Sequence, residues 1–210
     1  MNVKGKSKDN AKARKDVGIL CDHKEIGIPS NSTSQTIPKA LYTLTKEQRK
    51  VICEWLQNLR FLDGYASSLG KCVDMNALKI TCMKSHDCHV FMQRIIPIAF
   101  REMLPSFIWN PLTELSILFQ TICSAMLDID KLMELEKKVA VILCNLEKIF
   151  PPSFFDSMEH LIVHLPYEAR IGGPVQYRWM YPFERFLYDL KKTLKSKAHV
   201  EGSICKAYIA

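Results

Sequence analysis

The chain has 210 residues, 48% of them hydrophobic and 24% charged, enough to bury the core of one ordinary globular domain and too apolar to be disordered throughout. Twenty-nine Lys and Arg against 22 Asp and Glu leave a formal charge of +7, which favours a polyanionic partner. No segment approaches the ~20 apolar residues of a membrane span, the polar opening 1–10 is no signal peptide, and eight scattered cysteines without a Cys-x-x-Cys pair suit reduced thiols in an intracellular protein better than a secreted scaffold.

Residues 1–42 form a basic, largely disordered tail and linker, with Lys4, Lys6, Lys8, Lys12, Arg14 and Lys15 crowded at the start and a Ser/Thr-rich stretch from Pro29 to Pro38. Such a tail is either a solvated extension or an arm for nuclear import or DNA contact. A helical domain fills 43–210. Thr45 caps its first helix, with Gln48 at the capping-box position and Val51, Ile52, Trp55 and Leu59 at helical spacing.

After a loop from Asp63 to Gly70, brief alternation over Ala77–Cys82 allows a strand. From about His86 to Leu104 the apolar run Val90, Phe91, Ile95, Ile96 and Ile98 predicts a helix kinked at Pro97. Asn110 as cap with Pro111 at the first position opens the next, through Leu115, Leu118, Phe119, Ile122 and Met126. Asp128 or Asp130 starts a third, whose Leu132, Leu135, Val139, Ile142, Leu143, Leu146 and Ile149 form a wide apolar stripe ended by Pro151 and Pro152. Ser153 caps a fourth that stops at Leu165, before Pro166. Gly172, Gly173 and Pro174 turn the chain, Val175–Tyr181 is extended, and a last long helix runs from Pro182 to about Ser196. The fold class is therefore mainly α with little β.

Two constellations carry potential chemistry. His86 and His89 are three apart and His160 and His164 four apart, so each pair can share a helix face. Together they offer four imidazoles to a structural zinc ion, with Asp87 or Cys88 as substitute ligands; on the other reading they cap, pack or face solvent. Glu184 stands in the first turn of the last helix, where the macrodipole favours a carboxylate without any catalysis. Alternatively it holds a divalent cation for phosphodiester chemistry, which requires further carboxylates. Around it Arg178, Arg185, Lys191, Lys192 and Lys195 alternate with Tyr177, Trp179, Tyr181 and Phe186, a pattern able to contact phosphates and stack bases, or to build a core from the aromatics.

The segments 5–14, 42–50, 83–105 (MKSHDCHVFMQRIIPIAFREMLP), 146–169 (LEKIFPPSFFDSMEHLIVHLPYEA), 172–191 (GGPVQYRWMYPFERFLYDLK) and 201–210 resemble, in that order, the C-terminal region of plant CACTA (En/Spm) transposases. The resemblance implies an RNase H-like fold of the Asp/Asp/Glu type, in which three carboxylates hold Mg²⁺. Glu184 corresponds to the family's final glutamate, on a helix that closes a partial, truncated RNase H-like element, and the helices between Asp87 and His164 to the insertion before it. By analogy with the V(D)J recombinase, whose insertion carries a two-plus-two zinc site, it also supports zinc at His86, His89, His160 and His164, although that pattern has cysteines in the first pair. Nothing before Asp63 reads as a strand-borne catalytic aspartate. The expectation is a transposon-derived remnant that does not cleave DNA, binds DNA weakly and without sequence preference, associates with the missing transposase half or with itself, and resides in the nucleus. A helical protein–protein interaction module is the alternative, and a nuclease built on an unrecognised carboxylate set is the third reading.

Overall fold

A computed structural model describes residues 40–62, 69–150, 154–155, 157–194 and 198–209. The basic tail, the linker at 29–38, most of the 63–70 loop, the Ser153 cap, Pro151, Pro152 and Lys195 lie outside the described residues. The protein is mainly helical, with one small antiparallel two-stranded sheet among the described residues.

Helix α1 (Lys46–Asn58) starts as its sequence dictates: Gln48 N–H donates to Thr45 Oγ1 at 3.2 Å, and Thr45 N–H donates to Gln48 Oε1 at 2.9 Å. This reciprocal pair satisfies two donors that the first helical turn would otherwise leave open. The helix buries Ile52, Cys53 and Leu56, whereas Val51 faces solvent. A hairpin of β1 (Val73–Asp74) and β2 (Lys79–Ile80) follows, pairing Val73 with Ile80 and Asp74 with Lys79. Its turn is closed by the Asp74 carboxylate, which accepts from Asn76 N–H at 2.9 Å and Ala77 N–H at 3.1 Å.

The helix expected near His86 is present as α2 (Ser85–Val90), a π-helical stretch (Phe91–Ile95) and α3 (Ile96–Ala99) in unbroken succession. Pro97 explains the widened turn. It has no N–H to give the Gln93 carbonyl, and its ring crowds that carbonyl, so the chain opens: Ile96 N–H bonds Phe91 O, five residues back. Helix α4 (Ser106–Ile122) corrects the expected start at Asn110. Pro105 holds an extended ψ of 147° as the N-cap, and Pro111 lies buried inside the helix. The early start places Ile108 in the interior and lets Trp109 Nε1–H donate to Pro97 O at 2.9 Å, tying α4 to α3. The helix ends at Ile122, leaving Met126 exposed.

Asp128 caps α5 (Ile129–Glu147), accepting from Asp130 N–H at 3.0 Å and Lys131 N–H at 3.3 Å. The predicted single helix from Ser153 to Leu165 is instead α6 (Ser157–Leu161), a turn over 162–164, and α7 (Leu165–Gly172). Pro166 does not end a helix; it sits in the first turn of α7, where its missing N–H leaves no bond unmade. Gly173, at φ 74°, supplies the left-handed residue that turns the chain. The segment expected to be extended holds a 3₁₀ turn (Val175–Tyr177), followed by α8 (Tyr181–Thr193) and α9 (Val200–Ile209).

Two apolar clusters organise these elements. One joins Ile52 and Leu56 of α1 to Leu69, Val90 and Ile95. The other joins Leu118 and Ile122 of α4 to Leu132, Val139, Ile142 and Leu146 of α5 and Ala169 of α7, supplemented by the Arg170–Glu136 ion pair at 3.5 Å. Helix α4 packs against the π segment and α3 as well as against α5, and so links the clusters. The seven cysteines among the described residues are free thiols, and burial pushes Cys53 and Cys123 above the ordinary thiol range. No helix among the described residues is long and apolar enough to cross a membrane.

Candidate nucleic-acid interface

The sequence of α8, YPFERFLYDLKKT, sorts into two faces at the 3.6-residue period. Phe183, Phe186, Leu187 and Leu190 fall on one. Tyr181, Arg185, Tyr188 and Lys192 fall on the other. Every residue from Tyr181 to Asp189 is exposed, so neither face is packed into the two clusters. The basic face is partly organised by local contacts: the Lys192 ammonium sits 4.3 Å from the Tyr188 ring centroid and 3.5 Å from Asp189 Oδ1. The cation thereby lies over one face of the exposed ring, which sets a charge able to bind phosphate next to the ring surface that stays open.

Arg178 is held differently. Its Nη2 donates to Gly173 O at 3.4 Å, and its guanidinium lies over Gly172, where an added Cβ would stand 2.7 Å from Nη1. One of its five N–H donors is thus directed at the turn before α8, and the side chain remains at the surface. Lys191 is exposed at the edge between the two faces.

Glu184 is exposed in the first turn of α8, and its N–H donates to Met180 O at 2.9 Å. Among the described residues no group of three or more His, Cys, Asp or Glu side chains could hold a metal ion, so no carboxylate pair is assembled around it there. The histidines are likewise not brought into one group. His160 and His164 lie with ring centroids 5.2 Å apart, edge to face, both exposed, and the His164 carbonyl accepts from Glu168 N–H at 2.9 Å at the start of α7. His86 is exposed on α2, as is Cys88. As placed, the four imidazoles do not fit one tetrahedral ion, which needs ligand nitrogens within about 2.1 Å of a common point.

Asp87 and His89 have structural surroundings that the spacing did not reveal. Asp87 is buried, 1% exposed, and its Oδ2 accepts from Lys84 N–H at 3.0 Å, closing the first turn of α2. His89 lies between Trp179, at 5.6 Å between ring centroids, and Tyr181, whose hydroxyl is 3.4 Å from Nε2. Burial, and secondarily the neighbouring His86, hold its pKa below the usual imidazole range. This three-ring contact fastens the start of α8 to α2. Only the excess of aromatic residues at 177–181 hinted at it, since ring partners 90 or more positions apart leave no local signature.

Residues 122–210 match the family model described as a domain of unknown function, DUF4218. No curated protein and no solved structure matches the chain. The DUF4218 segment starts at the last residue of α4 and takes in α5 to α9, and hence the whole of α8 with its exposed basic and apolar faces.

Proposed function

We propose that the chain derives from the C-terminal region of a CACTA-type transposase, does not itself cleave DNA, and contacts DNA non-specifically in the nucleus through the basic face of α8. The resemblance of segments 83–105, 146–169 and 172–191 to that family supports the origin, and the match to DUF4218 overlaps most of this length. The observation that carries the DNA reading is the exposed alignment of Arg185, Tyr188 and Lys192 along one side of α8, with Tyr181, whose ring meets His89, at its start. Cations in such a row displace counterions from a phosphate backbone, and exposed rings add stacking that does not depend on sequence. Among the described residues Glu184 belongs to no group of three or more metal-ligating side chains, and the three-carboxylate set of the resembled family is not assembled there. Magnesium belongs, on this reading, to an intact transposase carrying all three carboxylates.

Fluorescence anisotropy with a labelled duplex, titrated across a salt series, tests this. Affinity should fall linearly on a log–log plot, and Arg185→Ala/Lys192→Ala should make that slope shallower by up to about 1.8. Binding that ignores salt, or a variant as tight and as steep as the parent, would refute the interface. Mg²⁺-dependent nicking abolished by Glu184→Gln would refute the non-cleaving role.

A second reading, a protein–protein interaction module, is favoured by the bare apolar face of the same helix, with Phe183 61% and Leu187 55% exposed.

A further inference from the structure

The apolar face of α8 has a partner whose identity can be argued from its own residues. Phe183, Leu187, Leu190 and Leu194 recur at spacings of four, three and four, the seam of a two-stranded helical pair. Phe186 widens the seam on one edge. Helix α9 packs against α8, and in these two helices only Leu190, Thr193, Ser203 and Ile204 are not exposed; Leu194, just past the end of α8, is also half-buried. The α8–α9 contact therefore sits at the C-terminal end of α8. The N-terminal half, with Phe183, Phe186 and Leu187, remains open to solvent, and Met180 extends it at 63% exposure.

The charges beside the seam select what covers it. Glu184 and Lys191 are seven residues apart and lie on the same edge, acid toward the N-terminus and base toward the C-terminus. A two-fold axis perpendicular to the helix runs two copies antiparallel and brings like edges together. Glu184 of each copy then meets Lys191 of the other, twice by symmetry, while Leu187 lies next to the two-fold axis and Phe183 reaches only those parts of Leu190 and Leu194 that α9 leaves uncovered. A parallel pair would instead set the Glu184/Lys191 edge against Phe186 and Thr193, leaving both charges unmatched. We propose that α8 is a self-association surface, pairing antiparallel with α8 of a second copy of this chain through Phe183, Phe186 and Leu187 and the reciprocal Glu184–Lys191 contacts. This rests on the interaction-module reading and is independent of DNA binding, because Arg185 and Lys192 lie on the opposite face.

The open half of a helix about 20 Å long buries less than a standard interface, so dissociation constants are expected in roughly the micromolar range. Sedimentation equilibrium of the full chain, from about 1 to 200 µM, reads this directly. The parent should shift from 24.2 kDa toward twice that mass, and Phe186→Asp/Leu187→Asp should stay monomeric with an unchanged far-UV spectrum, since both side chains are solvent-exposed in the single chain. Glu184→Lys and Lys191→Glu should each weaken the dimer by roughly tenfold, because two attractive contacts become repulsive. The double variant should regain parental affinity. A monomer at all concentrations, or a dimer indifferent to Phe186→Asp/Leu187→Asp, overturns the surface. Single variants without effect, or a double variant that fails to recover, overturn the antiparallel pairing. Because none of these substitutions touches Arg185 or Lys192, failure here leaves the salt-dependence experiment to judge DNA binding separately.

Discussion

Truncating Leu118 to alanine tests the packing of α4 on α5 most directly. Leu118 is fully buried among Ile122, Leu132, Val139, Ile142 and Leu146, whereas its neighbour Ile117 is 50% exposed on the other side of the same helix. Deleting the buried isobutyl group removes its transfer free energy and leaves a cavity that a helix pair cannot close, so Leu118→Ala should lose about 3 kcal/mol. Ile117→Ala removes a half-exposed side chain and gains helix propensity, and should lose less than about 1 kcal/mol. For a chain of this size the first corresponds to a Tm drop of roughly 6–12 °C and the second to no more than about 4 °C. Urea unfolding followed by far-UV circular dichroism measures both, with the slope m unchanged if only native packing is altered. Equal losses, or a larger loss for Ile117, would refute the placement of α4 and with it the joining of the two clusters.

Two further outcomes follow from the histidines. The pKa of His89 is lowered in the folded chain, chiefly by burial, so the unfolded chain binds the proton more readily. Stability contributed by neutral His89 is complete above about pH 6.5 and is lost as pH falls from there through the lower folded value. Thermal unfolding at pH 7.5 and 5.0 should therefore show a smaller acid-induced drop for His89→Gln than for the parent, and an identical drop would refute the packed His89–Trp179–Tyr181 contact. Elemental analysis addresses the zinc expectation: with His86 and His89 not gathered into one group with His160 and His164, the placement predicts less than stoichiometric zinc. About one zinc per chain, lost in His160→Ala/His164→Ala, would require the two pairs to meet in a rearranged fold.

The amino-acid order by itself determined the elements whose cause is local. Thr45 with Gln48 and Asp128 with the two N–H groups after it are short-range hydrogen-bond pairs, and the stripe from Leu132 to Leu146 is a period that any helix must present on one side. The mainly helical class follows from these. Local rules misjudged the prolines, because a proline's effect depends on where the helix around it begins. Asn110 and Pro111 have the local form of a cap and first position, but Ile108 and Trp109 are anchored in the fold and draw the start of α4 back to Ser106. Pro166 has the local form of a stop, yet it stands in the first turn of α7, whose Ala169 packs into the second cluster.

The candidate interface divides in the same way. The aromatic and basic content of 177–192 and the position of Glu184 in a first helical turn could be read in order along the chain, and so could the pairing of histidines within each helix. Tertiary structure alone decided which of these residues meet. It leaves Phe183, Phe186 and Tyr188 of α8 exposed rather than in a core, and it commits Asp87 to a backbone bond at the start of α2 and His89 to Trp179 and Tyr181 from a distant segment. Periodicity tells which side chains share a face. What the face packs against depends on long-range burial, which no local spacing encodes.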